Sequence, residues 1–250
     1  MQWIYLSPHF DDVALSCGGL LWEQGQAGER VSVWTICAGE VPAGQLSPFA
    51  RSLHERWESG LGAAALRRVE DHRSCQILGA EGRNFDIPDC IYRRDPGSGV
   101  HLYASEAALF EELNPVEEPL VAQLGETLAG VVPAGAQVVA PLAVGGHVDH
   151  RLVREATKNL GETVWYYADY PYIEYAGQAE WSRLAQLEHV DLAVSNAGLQ
   201  AWIGSIAAHT TQVGTFWPDL DAMAAAIRVY HNRVGGVRLF KGRFDIPEVV

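Results

Sequence analysis

The amino-acid sequence predicts an α/β fold in which a mostly parallel sheet lies between helices. Residues 2–6 form a short apolar run rich in aromatic and branched side chains, typical of a buried strand, and the run ends before Pro8. A helical stretch over about residues 13–26 stops before Gly28, and residues 31–37 form a second apolar run. A strand, a helix and a strand in close succession indicate a βαβ unit, whose two strands run parallel.

The middle of the chain is predicted from its turn residues and apolar runs. Residues 40–60 contain Pro and Gly and predict a long loop that leads into a helix ending near Leu78. A short strand is predicted over Asn84–Ile87. A helix near residues 117–130 then precedes Ala136–Leu142, the second clear buried strand.

The last third of the chain continues the alternation of helices and strands. A helix is predicted from about Asp149, followed by a strand over Thr163–Tyr167. The pattern is mostly helical from residue 177 onward, with an edge strand predicted over Gly236–Phe240. Because no internal repeat or linker interrupts the chain, we expect residues 1–250 to form a single domain.

The composition and net charge of the chain limit the kinds of molecule that it is expected to bind. The chain has 250 residues, of which 48% are hydrophobic, and a formal net charge of −13 from 31 acidic and 18 basic side chains. Nucleic acid and anionic membranes would repel such a protein, so we expect neither as a partner. We expect a small-molecule partner instead. The sequence does not indicate an oligomeric state.

The cysteines and the N-terminus predict a cytoplasmic location. The four cysteines show no CxxC pairing and no disulfide-scaffold density. The first residues lack the basic region of a signal peptide, and no apolar stretch approaches the roughly 20 residues needed to span a bilayer.

Two polar clusters follow predicted strands, at the position where open α/β sheets bind ligands. The first comprises residues 8–12, and the second comprises residues 145–150. Each begins a helix, on which side chains three positions apart point the same way. This spacing pairs His9 with Asp12 in the first cluster and His147 with His150 in the second.

These residue types match a catalytic zinc site, which commonly has three His or carboxylate ligands and an open fourth position. His9, Asp12 and one of the two later histidines would supply the ligands. Asp11 could then accept the proton of the attacking water, and the remaining histidine could stabilise an oxyanion. Asp149 could hold that histidine in the required tautomer.

A simpler interpretation of each cluster is a helix cap. Asp11 or Asp12 would cap the first helix, and Asp149 would cap its own helix. The occurrence of complementary ligand types at two strand ends favours the metal site.

The two clusters together resemble the motifs of the PIG-L / LmbE-like zinc-dependent N-acetylglucosaminyl deacetylase family. Residues 8–12 resemble the family's (A/P)-H-x-D-D motif, and residues 147–150 resemble its H-x-D-H motif. Weaker similarities are Arg67–Glu70, which resembles an R-x-x-E element, and His209–Gln212, which resembles an H-x-[ST]-Q element. The resemblance therefore spans residues 3 to about 212.

The resemblance implies a Rossmann-like fold and a role for each residue. By this similarity His9, Asp12 and His150 would be metal ligands for one Zn²⁺ per chain, with Fe²⁺ as an alternative. Asp11 would be the general base. His147 would polarise the substrate carbonyl with Asp149 as its orienting partner.

Arg67 is a further candidate for substrate contact by the same resemblance. A helix-surface ion pair with Glu70 or Asp71 is an equally good interpretation of this arginine.

The chain departs from the family pattern at Phe10 and Val148, where Pro is common. Neither position supplies a side-chain ligand, so the predicted site is unaffected. We therefore predict a zinc-dependent hydrolase that removes an N-acyl group, expected to be acetyl, from an amino-sugar-like substrate. The alternatives are a metal-dependent amidase acting on a non-sugar acyl conjugate and a non-catalytic Rossmann-like binding protein.

Two further segments have open interpretations. The tyrosine-rich residues 166–172 could stack on a sugar ring or could pack as a strand end. His54, Glu55 and Trp57 could form a lid or a solvated helix start.

Overall fold

The computed structural model describes residues 1–57, 62–158, 160 and 164–241. Its strands are β1 Gln2–Ser7, β2 Arg30–Thr35, β3 Glu81–Asn84, β4 Gln137–Pro141, β5 Val164–Tyr167, β6 His189–Ala193 and β7 Gly236–Lys241. Its helices are α1 Asp12–Gln26, α2 Pro48–Arg56, α3 Ala63–Leu78, α4 Glu118–Val131, α5 Val148–Thr157, α6 Tyr172–Tyr175, α7 Gly177–Leu184, α8 Asn196–Ala207, α9 Thr210–Phe216 and α10 Leu220–Val234. Short 3₁₀ turns occur at Cys90–Tyr92, Ala107–Phe110 and Pro115–Glu117.

The seven strands form one sheet in the order β3-β2-β1-β4-β5-β7-β6. The strands from β3 to β5 in this order are parallel, whereas β7 runs antiparallel to both of its neighbours. The predicted α/β class and the first βαβ unit, β1-α1-β2, are confirmed.

The sheet changes its direction of winding between β1 and β4. The chain moves from β1 outward to β2 on one side, and from β4 outward to β5 on the other. Because such crossovers are right-handed, α1 and α5 cover opposite faces of the sheet. A crevice opens at the carboxyl ends of the two central strands, and this is where open α/β sheets bind ligands.

The core lies around the central strands. Ile4, Tyr5 and Leu6 in β1 are fully buried, as are Val138 and Val139 in β4. Burial on both faces of the sheet explains why these strands are continuous apolar runs in the sequence.

The two edge strands differ from the sequence prediction. The strand predicted over Asn84–Ile87 lies earlier, as β3, whose four residues are all exposed and pair only with β2. The strand β6 falls within the region predicted to be mostly helical. Strand β3 is short, fully exposed and has no apolar alternation, so the sequence contains no clear signal for it. In the half-exposed β6, Val190 and Leu192 alternate with His189 and Asp191, a weak strand signal that the prediction missed.

The predicted edge strand Gly236–Phe240 exists as β7, but it lies between β5 and β6 rather than at the edge. Its Leu239 and Phe240 are fully buried, as an interior strand requires. Part of the predicted loop over residues 40–60 is the helix α2, capped by the Ser47 hydroxyl, which accepts the N–H of Ala50. Residues 58–61 and Thr163, which fall in two of the predicted segments, lie outside the described residues.

Among the described residues, no helix is long and apolar enough to cross a bilayer.

Candidate active site

The two predicted clusters meet at the crevice between β1 and β4. The first connects β1 to α1, and the second connects β4 to α5. Oδ2 of Asp12 lies 3.1 Å from Nδ1 of His9 and 3.4 Å from Nε2 of His150. The structure thus brings together the three residues predicted as metal ligands.

His150 is oriented as a metal-ligating histidine requires. Its Nδ1 lies 2.6 Å from Oδ1 of Asp169, while its Nε2 is buried and has no hydrogen-bond partner among the described residues. A carboxylate at Nδ1 places the ring proton there, which leaves the lone pair of Nε2 directed at the cluster. An unpartnered buried nitrogen is costly, and a bound cation would satisfy it. The residues present therefore fit a metal ion.

The protonation equilibria of these three groups depend on one another. Burial lowers the pKa of His9, but the negative charge of Asp12 outweighs this and holds the pKa well above its usual range. Burial is likewise outweighed at His150, where Asp12 and Asp169 raise the pKa to about 9. Burial raises the pKa of Asp12, but His150 and His9 hold it well below its usual range. In the metal-free protein His9 and His150 therefore tend to be protonated, and a bound cation would displace these protons.

The ring nitrogens of His9, His147 and His150 also come within 4.8 Å of one another. Ligand atoms of His9, Asp89 and Asp149 also lie within 4.8 Å of one another, so a His/Asp cluster that could bind a metal is present. The ligand set His9, Asp12 and His150 remains a prediction, since His147 lies close enough to be an alternative.

Asp11 points away from Asp12 and pairs with a buried arginine. It occupies the residue before α1, but its side chain caps no helical N–H. Oδ1 of Asp11 instead accepts a hydrogen bond of 3.0 Å from Nη2 of Arg67. Asp12 does not cap the helix either, because its Oδ2 accepts the backbone N–H of His9. These contacts argue against the capping interpretation of the first cluster.

The surface ion pair that was the alternative for Arg67 is not formed. Oε1 of Glu70 accepts the hydroxyl of Thr210 at 2.5 Å, and Oε2 accepts that of Thr211 at 2.7 Å. The carboxylate of Asp71 accepts the hydroxyl of Thr35. The two segments that contain the weak motifs R-x-x-E and H-x-[ST]-Q therefore contact each other through Glu70. Arg67 makes no ion pair with Glu70 or Asp71 and is available to residues of the site.

His147 is held at the start of α5 by two glycines and one hydrogen bond. Gly145 and Gly146 have φ values of 85° and 75°, in the left-handed region that favours glycine, and a side chain at Gly145 would collide with Tyr172. Nδ1 of His147 accepts the backbone N–H of Asp149 at 3.3 Å. The proton of a neutral His147 ring consequently resides on Nε2.

The pKa of His147 lies well below its usual range. Burial is the main cause, and the positive charges of His9 and His150 add to it. A neutral imidazole with an Nε2–H can donate a hydrogen bond to a carbonyl oxygen. This is the state that an oxyanion-stabilising histidine needs.

The carboxylate of Asp149 has different partners from those expected. Its Oδ2 lies 3.0 Å from Nε2 of His9 and accepts the backbone N–H of Cys90 at 3.0 Å, while Oδ1 accepts a hydrogen bond from Nη1 of Arg93. Only its backbone N–H reaches His147. Burial opposes ionisation, but Arg93 and His9 hold the pKa of Asp149 well below its usual range. The side chain of Asp149 thus contacts His9, and it is the backbone N–H of Asp149, not its carboxylate, that holds His147 in its tautomer.

Three supporting residues were not found from the sequence. Asp169 follows the end of β5, so its position after a parallel strand was a usable signal. Arg93 forms a buried ion pair with Glu117 as well as with Asp149. Arg93 lies in a segment with ordinary turn residues, and Glu117 begins a surface helix, so neither has a distinguishing pattern.

A cavity of about 540 Å³ opens over the cluster. Its polar floor consists of His9, Asp11, Asp12 and His147, with Arg67 and Asp89 beside them. Its apolar wall consists of Phe49, Leu53, Trp57, Leu109, Phe110, Tyr172, Tyr175 and Phe216.

Some residues of the tyrosine-rich segment 166–172 pack in the core, as expected of a strand end, and one faces the cavity, where a sugar ring could stack. Tyr166, Tyr167 and Tyr170 are buried in the core, whereas Tyr172 lines the cavity. In the region of α2, Trp57 lines the cavity and His54 is buried against the hydroxyl of Tyr92 at 2.6 Å.

The C-terminal element contributes to the same region. His209 is buried beside Asp11 in a small adjoining cavity, and its ring nitrogens have no partner among the described residues. Burial lowers the pKa of His209. Gln212 lines both cavities.

Two curated proteins are similar to this chain. The chain is 35% identical over 187 residues to a 2'-N-acetylparomamine deacetylase of Streptomyces fradiae, covering 71% of this chain and 58% of that protein. It is 30% identical over 187 residues to a 2'-N-acetylparomamine deacetylase of Niallia circulans, covering 68% of this chain and 66% of that protein. The match thus spans less than two thirds of the length of either relative.

The fold has a close structural neighbour. The zinc-inhibited form of a teicoplanin deacetylase superposes with a TM-score of 0.82, covering 98% of this chain and 100% of that one, at 23% sequence identity. Residues 4–160, which contain both polar clusters, match the family model for PIG-L, described as GlcNAc-PI de-N-acetylase. The chain belongs to the PIG-L family.

Proposed function

We propose that this protein is a metal-dependent hydrolase that removes an N-acetyl group from an amino-sugar substrate. The observation that carries the proposal is the buried, unpartnered Nε2 of His150, 3.4 Å from Asp12 at the floor of the cavity. A purely structural metal site would need neither Asp11 nor His147 beside it. The names of the two curated relatives support an acetylated amino sugar as the substrate class.

We propose zinc as the resident ion, one per chain, held by His9, Asp12 and His150. When bound, it would act as a Lewis acid and lower the pKa of a coordinated water. Ferrous iron is the alternative, since nitrogen and oxygen ligands accept several divalent metals.

The remaining steps are assigned to residues of the floor. Asp11 accepts the proton of the attacking water, and Arg67 fixes its carboxylate through the hydrogen bond to Oδ1. Nε2–H of His147 donates to the carbonyl oxygen as negative charge develops on it. The proton held by Asp11 then passes to the departing amine, which leaves acetate and a free amino sugar.

The apolar wall suits the rest of the substrate. Aromatic rings such as Tyr172 and Trp57 can pack against the apolar faces of sugar rings. The cavity of about 540 Å³ lies in the range that holds drug-sized ligands, which supports a substrate larger than one acetylated sugar.

The four cysteines are free, which supports the proposal of a reducing, cytoplasmic compartment. The continuous sheet supports the proposal of a single domain.

Acetate release from a panel of amides tests the proposal. The panel contains N-acetylated aminoglycoside fragments, N-acetylglucosamine and N-acyl thiol conjugates, and each is tested with chelator-treated protein and with protein reloaded with zinc or iron. We expect metal-dependent acetate release that is fastest with the acetylated amino sugars. Faster cleavage of the thiol conjugates would replace the sugar with a non-sugar substrate. Binding of a sugar without release of acetate at any metal loading would indicate a non-catalytic binding protein.

A further inference from the structure

The guanidinium group of Arg67 lies close to two aromatic rings. Its Cζ is 5.4 Å from the ring centroid of Phe10 and 5.3 Å from that of Trp57. Both distances fall within the range of about 6 Å over which a cation is attracted to an aromatic face. Phe10 precedes α1, Trp57 follows α2, and Arg67 lies in α3, so three separate segments meet at this stack.

Polar contacts alone hold this guanidinium loosely. Nη2 donates to Asp11 at 3.0 Å, whereas Nη1 is 3.9 Å from the nearest oxygen of Asp89. Nε is buried and has no hydrogen-bond partner among the described residues. A single hydrogen bond leaves the planar group free to turn, and the two rings remove that freedom.

Phe10 and Trp57 differ in their access to the substrate cavity. Phe10 is 4% exposed and is not among the residues that line the cavity, whereas Trp57 lines it. Phe10 also occupies the position at which the family pattern commonly has Pro, which would offer no aromatic face.

We propose that Phe10 and Trp57 are positioning residues that hold Arg67 against Asp11 through cation–π contacts with its guanidinium group. The inference rests on the proposed function, in which Asp11 is the base. Phe10 then affects turnover only through Arg67. Trp57 affects both turnover and substrate affinity, because the same ring forms part of the wall.

The test combines a double-mutant cycle with a matched control. Phe10→Leu, Trp57→Leu and the conservative Trp57→Phe are made in the wild type, and Phe10→Leu is also made in Arg67→Ala. Phe49→Leu is the control, because Phe49 lies in α2 and lines the cavity but makes no stacking contact with Arg67. Bound metal, kcat, KM and the midpoint of thermal unfolding are measured on the same samples.

We expect Phe10→Leu to retain metal and KM and to lower kcat by about 3–30-fold, as for the loss of one desolvated cation–π contact. Trp57→Leu should lower kcat and raise KM, Trp57→Phe should restore most of kcat, and Phe49→Leu should change KM alone. In Arg67→Ala, Phe10→Leu should have no further effect on kcat, because the group through which it acts is missing.

An equal loss of kcat from Phe10→Leu with and without Arg67 would overturn the proposal, as would loss of metal in Phe10→Leu. The unfolding midpoints keep this test separate from the proposed function. If the metal-loaded wild type released no acetate from any amide, the proposed function would fail, yet the stack should still make the midpoint shifts of Phe10→Leu and Arg67→Ala non-additive. Additive shifts would contradict the stack itself.

Discussion

The floor of the cavity is formed by residues that follow parallel strands, whereas its wall is formed mainly by residues of the short helices α2, α6 and α9 and of the 3₁₀ turn Ala107–Phe110. His9 and Asp12 in the floor, and His150 in contact with Asp12, are nine-tenths or more buried and are held by hydrogen bonds or close polar contacts. In the wall, Phe110 is 41% exposed and Tyr175 is 69% exposed. The catalytic and metal-binding groups, which need precise positions, thus lie in the buried floor. The residues that would contact different substrates lie in the more exposed wall. We therefore expect substitutions in the floor to change turnover and metal binding, and substitutions in the wall to change substrate affinity.

Apart from Asp11 and the three proposed metal ligands, the largest effect of a single substitution is expected at His147. His147→Ala should retain metal and fold but lower kcat by about 10²–10³, the range found when one oxyanion donor is removed. Steady-state kinetics with elemental analysis of the same preparation checks this. Loss of the metal instead would make His147 a ligand.

Metal affinity should depend on pH because a cation competes with protons in the floor. The pKa of His150 is raised to about 9 in the metal-free protein, so the residue is protonated at pH 6–8 and must lose that proton when metal binds. Each displaced proton weakens the apparent affinity about tenfold for each pH unit lost, so His150 alone accounts for about 100-fold from pH 8 to pH 6, and His9, whose pKa is also raised, steepens the dependence. Calorimetric titration with zinc in buffers of different ionisation enthalpy measures the proton count. An affinity independent of pH would exclude His150 as a ligand.

A smaller effect on metal affinity is expected at Asp169, which contacts the proposed ligand His150. Asp169→Asn keeps the size of the side chain but weakens its hold on Nδ1 of His150, so metal affinity should fall about 10–100-fold. A chelator competition assay measures this change. Ser205→Ala, in the buried part of α8 and away from the site, is the matched control and should leave affinity unchanged.

The smallest effect should come from the wall. Tyr175→Ala removes an exposed ring that lines the cavity, so KM should rise about 2–10-fold with kcat little changed, as expected for one stacking contact. The kinetics should use the best substrate of the amide panel. A large fall in kcat with an unchanged KM would mean that the division between floor and wall is incorrect.

The difference between floor and wall also explains what could be predicted from the sequence. The residues of the floor lie three positions apart after recognisable strands, so the spacing alone pairs His9 with Asp12 and His147 with His150. The partners of Asp149 could not be predicted, because Arg93 and Cys90 approach it from a segment about 60 residues away in the chain. The wall could not be predicted either, since Phe49 and Phe110 look like ordinary core residues until the fold places them over the floor.

Burial also determines which strands of the sheet can be recognised in the sequence. Its interior strands are recognisable as apolar runs because both faces are covered. The edge strands β3 and β6 have no such requirement, and these are the strands that the sequence misplaced or missed.

The central claim is that different residues bind the metal and accept the proton. Two neighbouring residues test this claim most directly. Asp11→Asn and Asp12→Asn are the same substitution one position apart, and each variant is assayed for bound metal and acetate release in one preparation. We predict that Asp11→Asn retains about one metal ion per chain and loses turnover by about 10²–10⁴. We predict that Asp12→Asn loses the metal and the activity together. Loss of metal from Asp11→Asn, or stoichiometric metal in Asp12→Asn, would contradict the account.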